Sequence, residues 1–166
     1  MHTPDQSPSK WQRYLYAAAL LPLAIIIAWL AALPGAFFSP GSWYAALEKP
    51  SWNPPNQIFG PVWSLLYTMM GISSWMVWLR RAVQPIGKAL GLYGVQLFLN
   101  ALWTVCFFGL QSPSLALINI AVLLLFIIWS IIEFYRISIP AALMLVPYLL
   151  WVGFATILNT GIWWLN

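Results

Sequence analysis

Side chains that do acid–base, nucleophilic or metal chemistry are scarce in this chain of 166 residues. Its single histidine is His2, its three acids are Asp5, Glu48 and Glu133, and its one cysteine is Cys106. A metal site needs a cluster of such ligands and a nucleophile needs a base within reach, so neither metal-assisted nor acid–base catalysis is expected. One cysteine forms no intramolecular disulfide and leaves the redox compartment open. The chemistry that remains is recognition by aromatic rings, amides and hydroxyls set in an apolar wall.

Three stretches repeat such groups at helical spacing. Gln96, Asn100, Trp103 and Phe107 recur at i, i+4, i+7 and i+11. Tyr148, Trp151, Ala155 and Asn159 fall close to one face, with Ala155 a small residue one turn beyond the indole. Trp63, Tyr67, Met70 and Ser74 do the same. Two readings of these faces stand: amides that bond neighbouring helices, or the wall of a pocket for a flat apolar guest with a few polar atoms.

The elements that must carry these faces follow from composition. Hydrophobic residues make up 62% of the chain, charged residues 6%, and the mean hydropathy is +0.81. That is more apolar surface than a soluble domain of this size buries. A helix needs about 20 residues to cross a hydrocarbon core of about 30 Å, and apolar runs of that length fall near 14–33, 60–79, 89–109, 114–132 and 139–163. Their continuity excludes a barrel, whose strands would be short and alternating. The expected fold is an all-α membrane protein, a bundle of five transmembrane helices. The first run is longer than the core of a secretory signal and is read as a retained helix. Residues 1–13, with the segment HTPDQSPSK, are expected to form a disordered tail, and 14–166 a single domain.

Depth then sorts the rings. Trp11, Tyr14, Trp75, Trp78, Trp129, Trp163 and Trp164 lie near expected helix ends, where an interfacial belt accounts for them. Trp103 and Trp151 lie about three turns inside, where an indole N–H meets neither water nor headgroup, so both should turn into the bundle. No expected span has a charged residue at its centre, which argues against a pump or an ion channel.

Five crossings place Lys10, Arg13, Arg80, Arg81, Lys88 and Arg136 on one side and Lys49 on the other. The positive-inside rule makes the amino terminus cytoplasmic and the carboxyl terminus external. The net charge of +4 is thus a topology signal, and no nucleic-acid footprint is present. The connection 35–59 is longer than a helix-to-helix turn needs. Within it, Ser42 is expected to cap a short helix WYAALEK that Pro50 ends, while Pro54, Pro55 and Pro61 stiffen the chain beyond it. Such a segment is either an interfacial anchor or a structured lid over the bundle mouth, and its stiffness favours the lid.

These residues also carry a family resemblance. The stretch WYAALEKPSWNPPNQIFGPVWSLLYTMMGISSWMVW, the later GLYGVQLFLNALWTVCFFG and the final VPYLLWVGFATILN resemble the translocator protein family, also called tryptophan-rich sensory protein or peripheral benzodiazepine receptor. The resemblance spans about residues 20 to 160. It implies a five-helix bundle whose first loop closes a pocket for tetrapyrroles such as protoporphyrin IX or haem and for synthetic isoquinoline carboxamides. Carried over by motif, Tyr44, Trp63, Asn100, Trp103, Trp151 and Ala155 are its pocket residues. With the faces above, the candidate binding set is Tyr44, Trp63, Tyr67, Gln96, Asn100, Trp103, Tyr148, Trp151, Ala155 and Leu158.

No metal and no required cofactor is implied; porphyrin or haem enters as ligand. The implied role is sensory or regulatory, in porphyrin or stress homeostasis. Two alternatives are a porphyrin or lipid transporter, and a light-dependent porphyrin-degrading enzyme in which Tyr44, Trp63 and Trp151 would act. Transport finds no ion-coupling group and no nucleotide-binding motif here. The sequence departs from the mitochondrial pattern, since ATILNTGIWWLN lacks the Tyr and nearby Lys or Arg of the cholesterol motif. Sterol binding through it is not expected, and the reversed pattern Lys88, Tyr93, Val95 is weak. Gly87 and Gly91 form one G-x-x-x-G, with Val95 a turn later, and a homodimer is expected. Short tails and the missing motif point to a bacterial cell membrane, with membrane lipids as neighbours.

Overall fold

The computed structural model describes residues 10–166 of the chain, and the described residues form helices without a strand. Helix α1, Lys10–Trp29, runs through a 3-10 turn, Leu30–Ala32, into the short α2, Pro34–Phe37. A second short helix, α3, spans Ser42–Ala46. Long helices then follow as α4 (Asn56–Trp78), α5 (Gly87–Thr104), α6 (Pro113–Ile137) and α7 (Ile139–Leu165), with a π turn, Val105–Gly109, at the end of α5. Residues 1–9, which carry His2, Asp5 and most of the expected tail, lie outside the described residues. Helix α1 starts at Lys10, ahead of the expected boundary at 14.

Among the described residues, four segments are long and apolar enough to cross a membrane: Leu15–Ala32, Gly87–Gly109, Pro113–Ile137 and Ile139–Leu165. The remaining expected run coincides with α4, which has 23 residues and the length but not the hydropathy. Its sequence explains the difference. Trp63, Ser64, Tyr67, Thr68, Ser73, Ser74 and Trp75 carry polar atoms, and several of these are spent on other helices. Ser73 Oγ donates to Ala141 O at 2.7 Å, Tyr67 Oη to Asn100 Oδ1 at 2.7 Å, and Trp75 Nε1 to Ala17 O at 2.7 Å. Helix α4 is thus wedged between α1 and α7. The belt reading of Trp75 is corrected on the same ground, since its indole ties α4 to α1.

Close approach of α1 and α4 depends on Gly71. A Cβ there would stand 2.5 Å from Ile25 Cα and 2.9 Å from Ile25 N, so only glycine lets the two backbones meet. The core that results includes Ala28, Met70, Val77, Leu123, Phe134 and Leu145, all buried, with α6 and α7 packed on one another and on α5 and α4.

Local boundaries shift for identifiable reasons. Ser42 does not cap α3: Gly41 holds the cap position, no side chain bonds there, and the helix stops at Ala46 because Leu47 turns extended. The expected connection 133–138 shrinks to Ser138, since α6 continues to Ile137. Glu133 accepts from Lys88 Nζ at 2.7 Å and from Arg136 Nη1 at 3.0 Å, so its charge is paired within the helical geometry. The α5–α6 joint bends through Gln111, which sits in the left-handed region at φ 51°. Ser112 then accepts from Leu115 N at 3.4 Å, and Pro113 opens α6.

The ends of the bundle differ in charge. Arg80, Arg81, Lys88, Glu133 and Arg136 gather at the end where α4 meets α5 and α6 meets α7. The Arg81 guanidinium lies 3.2 Å over the Trp78 ring, and the Lys88 ammonium 5.6 Å from the Trp129 ring centre. Glu48, Lys49 and the segment 38–55 lie at the other end, against the last turns of α7.

Candidate functional site

A cavity of about 290 Å³ lies at that second end, between α4, α5, α7 and the segment from Ala32 to Tyr44. No charged side chain among the described residues lines it. Trp63 and Tyr67 come from α4, Asn100, Trp103 and Thr104 from α5, and Trp151, Ala155, Leu158 and Asn159 from α7. The π turn contributes both Phe107 and Phe108, whose rings meet edge-on at 4.9 Å. A π turn inserts one extra residue into the helical count, which lets two successive rings face the same space.

Hydrogen bonds fix the wall. Tyr67 Oη donates to Asn100 Oδ1 at 2.7 Å, and Asn100 Nδ2 donates to Tyr148 Oη at 3.2 Å. Trp103 Nε1 donates to Asn159 Oδ1 at 3.1 Å, while Asn159 Nδ2 donates to Pro113 O at 2.8 Å. Each amide thus bridges two helices, and a deep indole N–H finds the partner that an apolar medium demands. Ring stacking completes the order: Trp103 lies over Phe107 at 5.0 Å and Trp63 over Tyr67 at 5.3 Å. Because the polar atoms bond one another, the surface left to a guest is mostly ring and methyl.

The segment between α2 and α4 closes one side. Trp43 and Tyr44 meet Phe107 edge-on at 5.7 and 6.2 Å, and Trp52 meets Phe154 at 6.0 Å. Phe59, in the first turn of α4, reaches Trp151 at 5.8 Å. Pro50 sits on α7 where Gly161 leaves room, since a Cβ at 161 would come within 2.7 Å of Pro50 Cγ. Burial holds the Tyr44 phenol above its ordinary pKa, so it stays neutral around pH 7. The Lys49 ammonium lies 4.7 Å from the Tyr44 ring centre and donates to Leu47 O at 2.9 Å, which makes it the cation nearest this ring.

Of the candidate residues, Tyr44, Trp63, Tyr67, Asn100, Trp103, Trp151, Ala155 and Leu158 line the cavity together. Tyr148 and Gln96 do not. Tyr148 is fully buried behind the wall, where it accepts from Asn100 and meets the edge of Trp63 at 6.3 Å. Gln96 is buried one turn before Asn100, and neither of its amide atoms has a hydrogen-bond partner. Four residues advance a helix by about 40° beyond a full turn, enough to carry Gln96 off the lining. On α4 the same drift puts Met70 in the core and Ser74 on a different hollow. Sequence reasoning missed Phe38, Pro40, Asn56, Phe59, Phe108 and Ile162 as lining residues. Phe59 and Ile162 carried a signal, as apolar residues one helical turn before Trp63 and one turn after Leu158.

Fold and cavity together define an integral membrane protein of helices that enclose an aromatic-walled hollow at one end. The sequence profile of the TspO/MBR family matches residues 18–165. The chain is 46% identical over 132 residues to tryptophan-rich protein TspO of Chlorobaculum tepidum, covering 76% of this chain and 82% of that protein. It is 41% identical over 155 residues to the tryptophan-rich protein TspO of Archaeoglobus fulgidus, covering 92% and 96%. To the translocator protein of Homo sapiens it is 41% identical over 127 residues, 73% of each chain. The chain belongs to the TspO/MBR family.

Proposed function

We propose that this chain binds tetrapyrroles, protoporphyrin IX or haem, in the ring-walled cavity and serves a sensory or regulatory role in porphyrin or stress homeostasis. The observation that carries this reading is the convergence of Trp63, Trp103 and Trp151 on one uncharged hollow. A flat macrocycle stacks on such rings, and its propionates extend toward the loop, where Lys49 supplies a cation. Ligand pockets run to about 300–1,000 Å³, so a cavity of about 290 Å³ must widen for a macrocycle. The segment carrying Gly35, Phe38 and Pro40 is the exposed wall that can yield.

Helix α4 completes five crossings in this reading, because its inward polar atoms are bonded to other helices and its length matches a bilayer. The basic end is then cytoplasmic together with the amino terminus, and the loop and carboxyl terminus lie outside. A bacterial cell membrane and a homodimer through the open Gly87 and Gly91 face of α5 belong to the same proposal, since a Cβ at either glycine meets nothing within 4 Å. Lys88 of the reversed sterol pattern is already paired with Glu133 at 2.7 Å, which disfavours sterol binding through that pattern. Photochemical turnover is the second reading, favoured by the Trp63–Tyr67 stack at 5.3 Å as a relay for a radical.

Tryptophan quenching by protoporphyrin IX in detergent tests the proposal. Replacing Trp63 and Trp151 by Ala should weaken binding at least tenfold, about 1.4 kcal/mol, and unchanged affinity would end it. Illuminating the wild-type complex and recovering unaltered porphyrin by mass spectrometry would remove the second reading alone.

A further inference from the structure

A second hollow, of about 300 Å³, lies between α1, α4 and α5, toward the basic end, and shares no wall residue with the first. The Trp29 ring, 5.9 Å from Tyr67 and bonded to Thr68 Oγ1 at 3.4 Å, stands along the helices between the two. The wall is hydrocarbon: Leu20 and Ile27 from α1, Leu90 and Leu97 from α5, and the rings of Trp75 and Trp78. Leu23, Ile27 and Gly94 on its rim are exposed, so it opens sideways, where acyl chains lie around a membrane protein.

One polar group faces this hydrocarbon without a partner. Tyr93 is only 4% exposed, lines the hollow, and its Oη makes no hydrogen bond. The other hydroxyl of the wall, Ser74 Oγ, donates to Gly71 O at 2.9 Å and lies near enough to act on the Tyr93 phenol as a weak acceptor, but the geometry of a closed hydrogen bond is not reached. A buried hydroxyl left without a closed bond is costly, so the hollow favours a guest that brings an acceptor to Tyr93. Helical rise places Tyr93 about 9 Å along α5 from Gly87. That is within the first two turns of the span, so the ester end of a lipid, and not its terminal methyl, is the part nearest Tyr93.

Charge at the mouth specifies the rest of the guest. Arg80 and Arg81 follow directly on α4, both are exposed, and the Arg81 guanidinium lies over the Trp78 ring that walls the hollow. Lys88 and Arg136, described cations of the same end, are already paired with Glu133 at 2.7 and 3.0 Å. We propose that this groove binds one anionic glycerophospholipid. Its acyl chain fills the hollow, an ester carbonyl accepts from Tyr93 Oη, and its phosphate rests on Arg80 and Arg81.

Native mass spectrometry of the full chain in detergent, titrated with phosphatidylglycerol or with phosphatidylcholine of the same acyl chains, tests this. Wild type should retain one phosphatidylglycerol about tenfold more tightly than phosphatidylcholine. Gly94→Leu should abolish retention, since a side chain there enters open space on the rim and clashes with nothing within 4 Å. Tyr93→Phe should weaken it several-fold, and the exposed pair Arg80→Gln and Arg81→Gln should erase the preference over phosphatidylcholine, with the melting temperature unchanged in the latter. Equal retention of both lipids by wild type, or of phosphatidylglycerol by Gly94→Leu, would overturn the proposal. So would a wild-type dimer that carries no lipid and falls apart on Gly94→Leu, which would assign the face to a second copy.

Discussion

The two hollows share helices α4 and α5 yet dispose of their polar groups in opposite ways. Around the first, Tyr67, Asn100 and Tyr148 bond one another, and Trp103 is tied through Asn159 to Pro113. Around the second, the Tyr93 hydroxyl is left over. Bonded networks in an apolar medium lock side chains in place, so the first hollow offers a rigid arrangement of ring faces and discriminates by shape. An unspent donor discriminates by chemistry instead. One bundle thereby presents a stacking site at its loop end and a single-donor site at its basic end.

The largest test of that division acts on both hollows together. Gly71→Leu drives a side chain into the α1 backbone at Ile25, where no rotamer can yield. Overpacking of this kind costs about 1–3 kcal/mol in soluble cores, and the upper end applies here because the contact is backbone. The melting midpoint should fall clearly, and both porphyrin quenching and lipid retention should drop, since α1 walls the second hollow and Ala32 the first. A variant that melts like wild type would mean that α1 and α4 can separate freely, and the close crossing would lose its significance.

A smaller change should split the pair. Asn100→Leu keeps much of the volume but removes the bridge between Tyr67 and Tyr148, leaving two buried hydroxyls. Hydrogen bonds within membranes contribute about 0.6 kcal/mol on average, so stability should fall by about 1 kcal/mol for the two. Porphyrin affinity should decline with the order of the rings, while phosphatidylglycerol retention at the second hollow stays as in wild type. Equal losses at both would show that the two hollows are one coupled unit.

Legibility in the sequence divides between regular and irregular structure. Trp63, Tyr67, Asn100, Trp103 and Trp151 were legible because a helix repeats every 3.6 residues, and a ring or amide at mid-depth has no other place to go. Gln96 and Tyr148 shared that spacing but not the wall, as periodicity assigns a face only to within a sector. Phe38 and Pro40 lie in a connection without a period, and Phe108 depends on a π turn that has no signature in VCFFG. Helix α4 read as an apolar run although its rings and hydroxyls lower its hydropathy, because those groups are internal and only packing reveals it. Tyr93 was beyond reach, since a missing partner is a property of three-dimensional neighbours alone.

The smallest expected effect concerns how the first hollow is closed. Asn166 clasps the loop as a paired strand would: its Oδ1 accepts from Glu48 N at 3.0 Å and its Nδ2 donates to Glu48 O at 3.0 Å. The same Nδ2 is anchored to Ile162 O at 2.8 Å, so the amide joins the loop to the last turn of α7. The two bonds to Glu48 are exposed, and such bonds contribute about 0.5–1 kcal/mol each, far less than the ring contacts of Trp43, Tyr44 and Trp52 beside them. Asn166→Ala should therefore lower the melting midpoint by about 3–6 °C at most. Exchange of the Glu48 amide hydrogen should nonetheless accelerate about tenfold, matching the loss of about 1.4 kcal/mol of local protection. Porphyrin entry and exit should both speed up by a similar factor with little change in affinity, because the clasp biases opening without touching the guest. Unchanged exchange at Glu48 would show that Pro50 seated on Gly161 and the surrounding rings hold the loop by themselves, and closure would then be a matter of packing at this end as donor chemistry is at the other.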